Sequence, residues 1–200
     1  MRALEQISGW GARTAAAGVT DAEATVATDG AAEHVFRWAS VTKPVTALAT
    51  LVAVEEGIVD LDEPAGPPGS TLRHLLAHAS GLPPDDGPPL APTLVAPETL
   101  AEATQVQFPG LAGVLPSFGR HDPNDWGLGF ELRGEKRPHW TGSQNSPRTF
   151  GHFGAAGTFL WVDPDAGLAC AALTDREFGD WAKDAWPRLS DAVLAAVSRA

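Results

Sequence analysis

A proline at position 44 stands inside SVTKPVTALATLVAVEEG (40–57), a run in which Val41, Val45, Leu48 and Val52, with Ile58 just beyond it, recur near helical spacing. Proline disrupts a helix interior, because it lacks an N–H and its ring clashes with the preceding turn. In the first turn it is harmless, since those amide groups have no intrahelical acceptor. The run is therefore helical only if its helix begins close to Ser40, with Gly57 as the stop. This puts a hydroxyl at a helix start and an amine, that of Lys43, three residues further on.

The period differs on either side. In TAAAGVTDAEATVATDG (14–30) short β-compatible pieces sit between turn residues, with Asp29 and Gly30 as a hairpin-type turn pair. HVFRWA (34–39) alternates as a further short strand. After DLDEPAGPPGS a second helix is expected from about Thr71 to Ala79, capped by Ser70 or Thr71 and ending at Ser80 and Gly81. PPDDGPPLAP (83–92) holds five Pro, one Gly and two Asp, a composition that builds a stiff linker and no core. A short helix follows from Pro97, with proline and Glu98 both suited to a first turn. WGLGFELR (126–133), GTFLWVDP (157–164) and GLACAALTD (167–175) read as strands, the last two as an antiparallel hairpin. Gly179 to about Ser198 reads as an amphipathic helix carrying Trp181, Trp186, Leu189, Val193 and Val197, kinked or divided at Pro187. The tally is an α+β fold: an antiparallel sheet flanked by N- and C-terminal helices.

With 200 residues, 44% of them hydrophobic and 20% charged, the chain is expected to form one compact domain over 1–200. A net charge of −11 without a basic stripe lacks the electrostatic footprint of a nucleic-acid or anionic-membrane binder. The single Cys170 excludes an intramolecular disulfide and a multi-cysteine zinc site. No apolar stretch suits a signal-peptide core or a transmembrane helix, so the expected location is cytoplasmic. The aromatic set is lopsided: seven Trp, eight Phe and no Tyr.

Ser40, Val41, Thr42 and Lys43 form the sharpest local signal. A three-residue helical spacing puts hydroxyl and amine on one face, about 5–6 Å apart at Cβ. The positive end of the helix dipole favours an alkoxide and the oxyanion that follows it. A serine hydroxyl is a weak nucleophile until a neighbouring base takes its proton, and lysine is that base only where burial or nearby charge lowers its pKa. Alone, SxxK is equally the mark of a capping serine and a solvated lysine. Here FRWASVTK (36–43) is followed by TLRHLLAHASGL (71–82) and then by GHFGAAGTFLWVDPDAGL (151–168). These three blocks, in this order and spanning most of residues 20–175, resemble the serine β-lactamase-like hydrolases: class C β-lactamases, penicillin-binding carboxypeptidases and their esterase relatives.

The resemblance implies that Ser40 is the acylated nucleophile and Lys43 its proton partner. His152, Phe153 and Gly154 take the place of the family's KTG strand motif, with His152 where the lysine stands. Phe153 and Gly154 are then expected to border the substrate, glycine suiting a close approach to the strand. The backbone N–H groups of Ser40 and Ala155 are the expected oxyanion hole. Neither metal nor cofactor is implied, and the expected substrate is a small ester or amide.

One family element is missing from the sequence. Relatives carry a YxN or SxN motif on a helical subdomain between LLxHxSGL and the C-terminal half, and its tyrosine shares the acid–base duty. This chain has no Tyr, and beyond Gly81 it enters the Pro-rich linker (83–96). Asn124 and Asn145 are the only asparagines, and no motif supports either as a substitute. A second acid–base group typically contributes about 10²–10⁴-fold, and an opened cleft wall lets water in beside the lysine. The implied activity is weak hydrolysis of activated esters rather than efficient β-lactam hydrolysis. The alternative is an impaired or inactive scaffold of the same fold, self-associating as a homodimer or by exchange across the linker.

Other candidates carry less. His74 and His78 lie four apart on a helix, but without a third ligand in view they read as structural. His121, Asp122, Asp125 and Trp126 read as turn residues near a cleft. Trp140 and Trp161 read as core, with a second role at the border of an acyl pocket left open. Cys170, in an apolar strand, reads as an inert small hydrophobe.

Overall fold

The computed structural model describes residues 1–82 and 96–197, apart from the side chain of Pro97. The Pro-rich linker expected over 83–96 thus lies, except for Ala96, outside the described residues. In chain order the strands are β1 (Ala15–Thr20), β2 (Thr25–Gly30), β3 (Gly113–Leu115), β4 (Gly119–His121), β5 (Glu131–Leu132), β6 (Phe150–Gly154), β7 (Thr158–Asp163) and β8 (Leu168–Thr174). The helices are α1 (Thr42–Glu55), α2 (Leu72–Leu76), α3 (Pro97–Ala103) and α4 (Asp180–Val197), with 3-10 helices at Arg2–Gly9 and Ala39–Val41. The fold is α+β with an antiparallel sheet. Among the described residues no helix is long and apolar enough to cross a membrane.

The chain divides into two compact units, each assembled from separated stretches. The first holds residues 1–41, 116–119 and 133–200. It contributes five strands in the order β2-β1-β8-β7-β6, every neighbouring pair antiparallel. Burial alternates strictly along β8, where Leu168, Cys170, Ala172 and Thr174 point inward. α4 lies on that apolar face. Its Trp186 meets Phe159 edge-on at 5.3 Å, and the buried Trp161 indole donates to the Ser190 hydroxyl at 3.0 Å. Leu189 and Val193 complete the inward stripe, while the 3-10 helix Arg2–Gly9 adds Leu4 and Ile7. Each fully buried aromatic or aliphatic side chain here is worth roughly 1.5–3 kcal/mol. α4 continues through Pro187, which does not divide it.

Three local expectations give way to other conformations. Asp29 and Gly30 are paired strand residues, opposite Ala17 and Ala16, and do not form the turn. The turn is made by Asp21, whose carboxylate accepts from the amides of Glu23 and Ala24 at 2.8 Å each; a short acidic side chain mimicking a backbone turn outcompetes the Asp-Gly signal. HVFRWA (34–39) is not a strand, for Val35 is 91% exposed and Trp38 46%, so its alternation faces no partner. The third case lies in the second unit.

That unit holds residues 42–115 and 120–132. α1 buries Pro44, Ala47 and Leu51, and Pro44 sits in its first turn. The expected strand at 126–133 is reduced to Glu131–Leu132, because the glycines before it make a tight loop. The Gly127 amide donates to Phe130 O at 2.9 Å, Leu128 N to Ala103 O and Gly129 N to Leu76 O at 2.8 Å each. A Cβ on Gly129, at φ +83°, would fall 2.0 Å from the Ala47 Cβ, so only glycine lets this loop clasp α1. Arg73 ties α2 to its surroundings through Asp62 and Glu102, each at 2.9 Å.

Candidate functional site

The helix start inferred from Pro44 is a 3-10 turn, Ala39–Val41, that leads directly into α1 at Thr42. Ser40 lies half-buried in that turn, and Lys43 is the second residue of the helix. The residue before the serine, Ala39, has φ +49°. For a non-glycine residue this left-handed conformation costs about 1–2 kcal/mol, and it persists only where the surroundings over-determine it.

The β6–β7 hairpin supplies those surroundings. The Trp38 carbonyl accepts from Val41 N at 3.2 Å, which closes the turn, and from the Thr158 hydroxyl at 2.7 Å, which fixes it to β7. Gly154 ends β6 opposite Thr158. A Cβ on Gly154 would stand 2.5 Å from Trp38 O, 2.5 Å from Thr158 Oγ1 and 3.2 Å from the Ala39 Cβ. The glycine expected from the KTG-like block is therefore required by the approach of the strand to the turn that holds Ser40.

Ala155 follows, exposed at the hairpin end. Its carbonyl accepts from Phe178 N at 2.9 Å, and Gly157 N donates to Gly154 O at 3.0 Å. The Thr174 hydroxyl bonds Gly157 O at 3.1 Å from the neighbouring strand β8. The hairpin end is thus pinned from several sides, the kind of fixed main chain an oxyanion hole needs.

His152 is buried in β6, and its Nδ1 lies 2.7 Å from Phe153 O. A carbonyl only accepts, so Nδ1 is the donor in this contact. Phe153 points to the opposite side of the strand, among Trp140, Phe178 and Trp186 at 5.8, 5.2 and 6.0 Å. Its ring is core, so the substrate-binding expectation for Phe153 shrinks to its main chain.

In the second unit the histidine of the LLxHxSGL block, His78, also has a left-handed backbone, at φ +53°. Its ring packs on Trp126 with centroids 4.3 Å apart. Desolvation of the ring, and secondly the positive charge of Lys43, push its pKa down to about 4, although the residue as a whole is exposed. At neutral pH His78 is an uncharged neighbour of that lysine. His74 does something else. It completes a capping box with Thr71, whose amide donates to its Nδ1 at 3.2 Å, and it stacks on Phe108 at 4.7 Å.

Most of the remaining candidates are buried. Trp140 and Trp161 are wholly buried, which removes them from any pocket border. Asn145 accepts from Gly142 N at 2.8 Å and faces Asp163, the hub of a loop in which Ser146 donates through both N and Oγ. Asn124 is buried against Gly113. His121 ends β4 and is buried, while Asp122 beside it is exposed. Burial pushes the Cys170 thiol up to about 12, so it is inert at neutral pH. Thr158 and the strained Ala39 are what sequence reasoning missed. A threonine in a strand carries no signal of a hydrogen bond made 120 residues away.

Comparison with known proteins bears on the whole chain. A family model described as Beta-lactamase matches residues 7–112 and 93–194. A β-lactamase from Mycobacterium bovis, solved by crystallography, is 43% identical, with 98% of this chain and 99% of that one covered and a TM-score of 0.92. Two others share the fold at low identity. EstA from Arthrobacter nitroguajacolicus is 12% identical over 93% of this chain and 92% of its own, with a TM-score of 0.64. A hydrolase described as having promiscuous acyltransferase activity is 15% identical over 96% and 99%, with a TM-score of 0.64. Among curated proteins, none matches the sequence. On the family match and the 43% identity, the chain belongs to the Beta-lactamase family.

Proposed function

We propose that the protein is a serine hydrolase that works through an acyl-enzyme on Ser40 and acts as a weak esterase on activated esters rather than as an efficient β-lactamase. The observation that carries this reading is the docking of the Ser40 turn on the β6–β7 hairpin through Gly154 and Thr158. Family membership supports the general class. In the reaction, the Ser40 oxygen attacks the acyl carbon while Lys43, three residues along, takes its proton. The tetrahedral oxyanion is held by the amides of Ser40 and Ala155. Collapse expels the alcohol, which recovers the proton, and water then cleaves the acyl-enzyme by the same steps. His152 stands where the family's strand lysine would.

The restriction to activated esters comes from the sequence. Without any tyrosine, the second acid–base group is lost, and a leaving group that needs no protonation suffers least. The same absence favours the second reading, a catalytically inactive scaffold that self-associates.

Steady-state hydrolysis of p-nitrophenyl acetate and of a chromogenic cephalosporin, by wild type and by Ser40→Ala and Lys43→Met, tests this. The expected result is slow ester turnover that both substitutions abolish, with cephalosporin turnover far lower still. Ester turnover that survives Ser40→Ala overturns the reading, and no turnover by the wild type favours the scaffold.

A further inference from the structure

We propose that Thr158 is a positioning residue for Ser40. Its hydroxyl latches the turn of the nucleophile to the hairpin that carries Ala155, so that a single rigid element aims both oxyanion donors. The inference rests on the reading of Ser40 as nucleophile; Thr158 stands within the third block (151–168), four residues beyond Gly154, and the resemblance gives it no role.

Thr158 is wholly buried, and its one hydroxyl proton is directed at Trp38 O at 2.7 Å. That carbonyl has two lone pairs, and Val41 N takes the other at 3.2 Å. The two bonds have different consequences. The Val41 bond makes the turn, while the Thr158 bond decides where the turn sits relative to β7. Between them lies Ala39 at φ +49°, a conformation with a standing tendency to relax. Relaxation at Ala39 rotates the peptide that contains the Ser40 N–H, which is one of the two proposed donors.

The other donor, Ala155 N–H, belongs to the same hairpin. Thr158 pairs with Gly154, the residue before Ala155. The hairpin end is itself held by Phe178 N on Ala155 O and by the Thr174 hydroxyl on Gly157 O. The latch therefore joins a strained turn to a fixed one. Gly154 makes the joint short enough, since a Cβ there would press on both oxygens, 2.5 Å from Thr158 Oγ1 and 2.5 Å from Trp38 O.

Valine keeps the shape and strand preference of threonine and removes only the donor. Thr158→Val is expected to lower kcat for p-nitrophenyl acetate, and the rate of fluorophosphonate labelling, by roughly 10- to 100-fold with KM unchanged. This is less than the roughly 10²–10³-fold cost of deleting an oxyanion donor outright. Thr158→Ser, which retains the hydroxyl, is expected to stay within about twofold of wild type. Amide hydrogen exchange of the peptide covering residues 38–41 is expected to quicken in Thr158→Val and not in Thr158→Ser. If Thr158→Val lacks a cooperative unfolding transition, Thr158→Ala replaces it in each comparison. Wild-type labelling rate and wild-type exchange in the hydroxyl-less variant overturn the latch. So does an equal loss in Thr158→Ser, which would indicate packing rather than the hydrogen bond. If the wild type itself neither labels nor turns over, the nucleophile reading fails, and the exchange comparison alone decides the latch.

Discussion

Gly154 and Ala39 approach so closely that a methyl group on the glycine would lie 3.2 Å from the alanine Cβ and 2.5 Å from the carbonyl oxygen of Trp38. The strand that takes the place of the family's KTG motif and the turn that carries Ser40 are thus packed backbone to backbone. Gly154→Ala must push them apart. Overpacking of this kind costs typically about 1–3 kcal/mol, and here it also displaces the Ser40 turn. Urea denaturation is expected to show that loss, with fluorophosphonate labelling slowed in the folded variant. A variant with unchanged stability and labelling would contradict the close approach.

His78 and Lys43 supply a pH-dependent prediction. With its pKa near 4 in the folded protein and about 6.5 unfolded, the unfolded chain binds more protons between these values. The contribution of His78 is therefore fully present above about pH 6.5 and is lost as pH falls toward 4. Carboxylates titrate at the lower end of that window, so the comparison must be made against a variant. Asparagine tolerates the left-handed backbone at this position. The midpoint of chemical denaturation is expected to fall less steeply from pH 6.5 to 4.5 in His78→Asn than in wild type. Parallel curves would show that His78 is not held neutral.

The Trp161 indole donates to Ser190 Oγ at 3.0 Å, and that hydroxyl in turn donates to Trp186 O at 3.0 Å, one turn back along α4. Both residues are completely buried. Ser190→Ala leaves the indole N–H without an acceptor and is expected to cost about 1–3 kcal/mol, measured by denaturant unfolding. A loss below about 0.5 kcal/mol would mean that this bond contributes little to the seating of α4 on the sheet.

Cys170 lies in β8, with its thiol pushed up to about 12 by burial. A thiol reagent at pH 8 is expected to leave the native protein unmodified and to react with one equivalent after unfolding in guanidinium. Rapid native labelling would place Cys170 at the surface and contradict the packing of α4 over the sheet.

Much of this architecture was legible from residue pattern alone, and the exceptions share a cause. The β7–β8 hairpin follows from two alternating runs joined by Asp163, Pro164, Asp165, Ala166 and Gly167, because a half-buried antiparallel strand writes its period directly into the sequence. The start of α1 follows from Pro44. By contrast, residues 126–133 read as a strand because Trp126, Leu128 and Phe130 alternate with Gly127, Gly129 and Glu131. Those glycines are there for close approach to Ala103 and Ala47, a tertiary reason invisible in one dimension. HVFRWA alternates as well, but a strand needs a partner edge, and pattern does not say whether one is present. In the candidate site, Ser40, Lys43 and Gly154 were reached by motif. Thr158 was not, since its role is a single side-chain to main-chain bond across 120 residues. Phe153 shared the motif yet faces the aromatic core, because adjacent strand residues point to opposite sides.

The proposed reaction stands or falls on acylation of Ser40. Intact-protein mass spectrometry after incubation with a fluorophosphonate, followed by peptide mapping, tests it most directly. One adduct per chain is expected, carried on the peptide that contains Ser40 and absent from Ser40→Ala. An adduct mapped to another residue, or one that persists in Ser40→Ala, would contradict it.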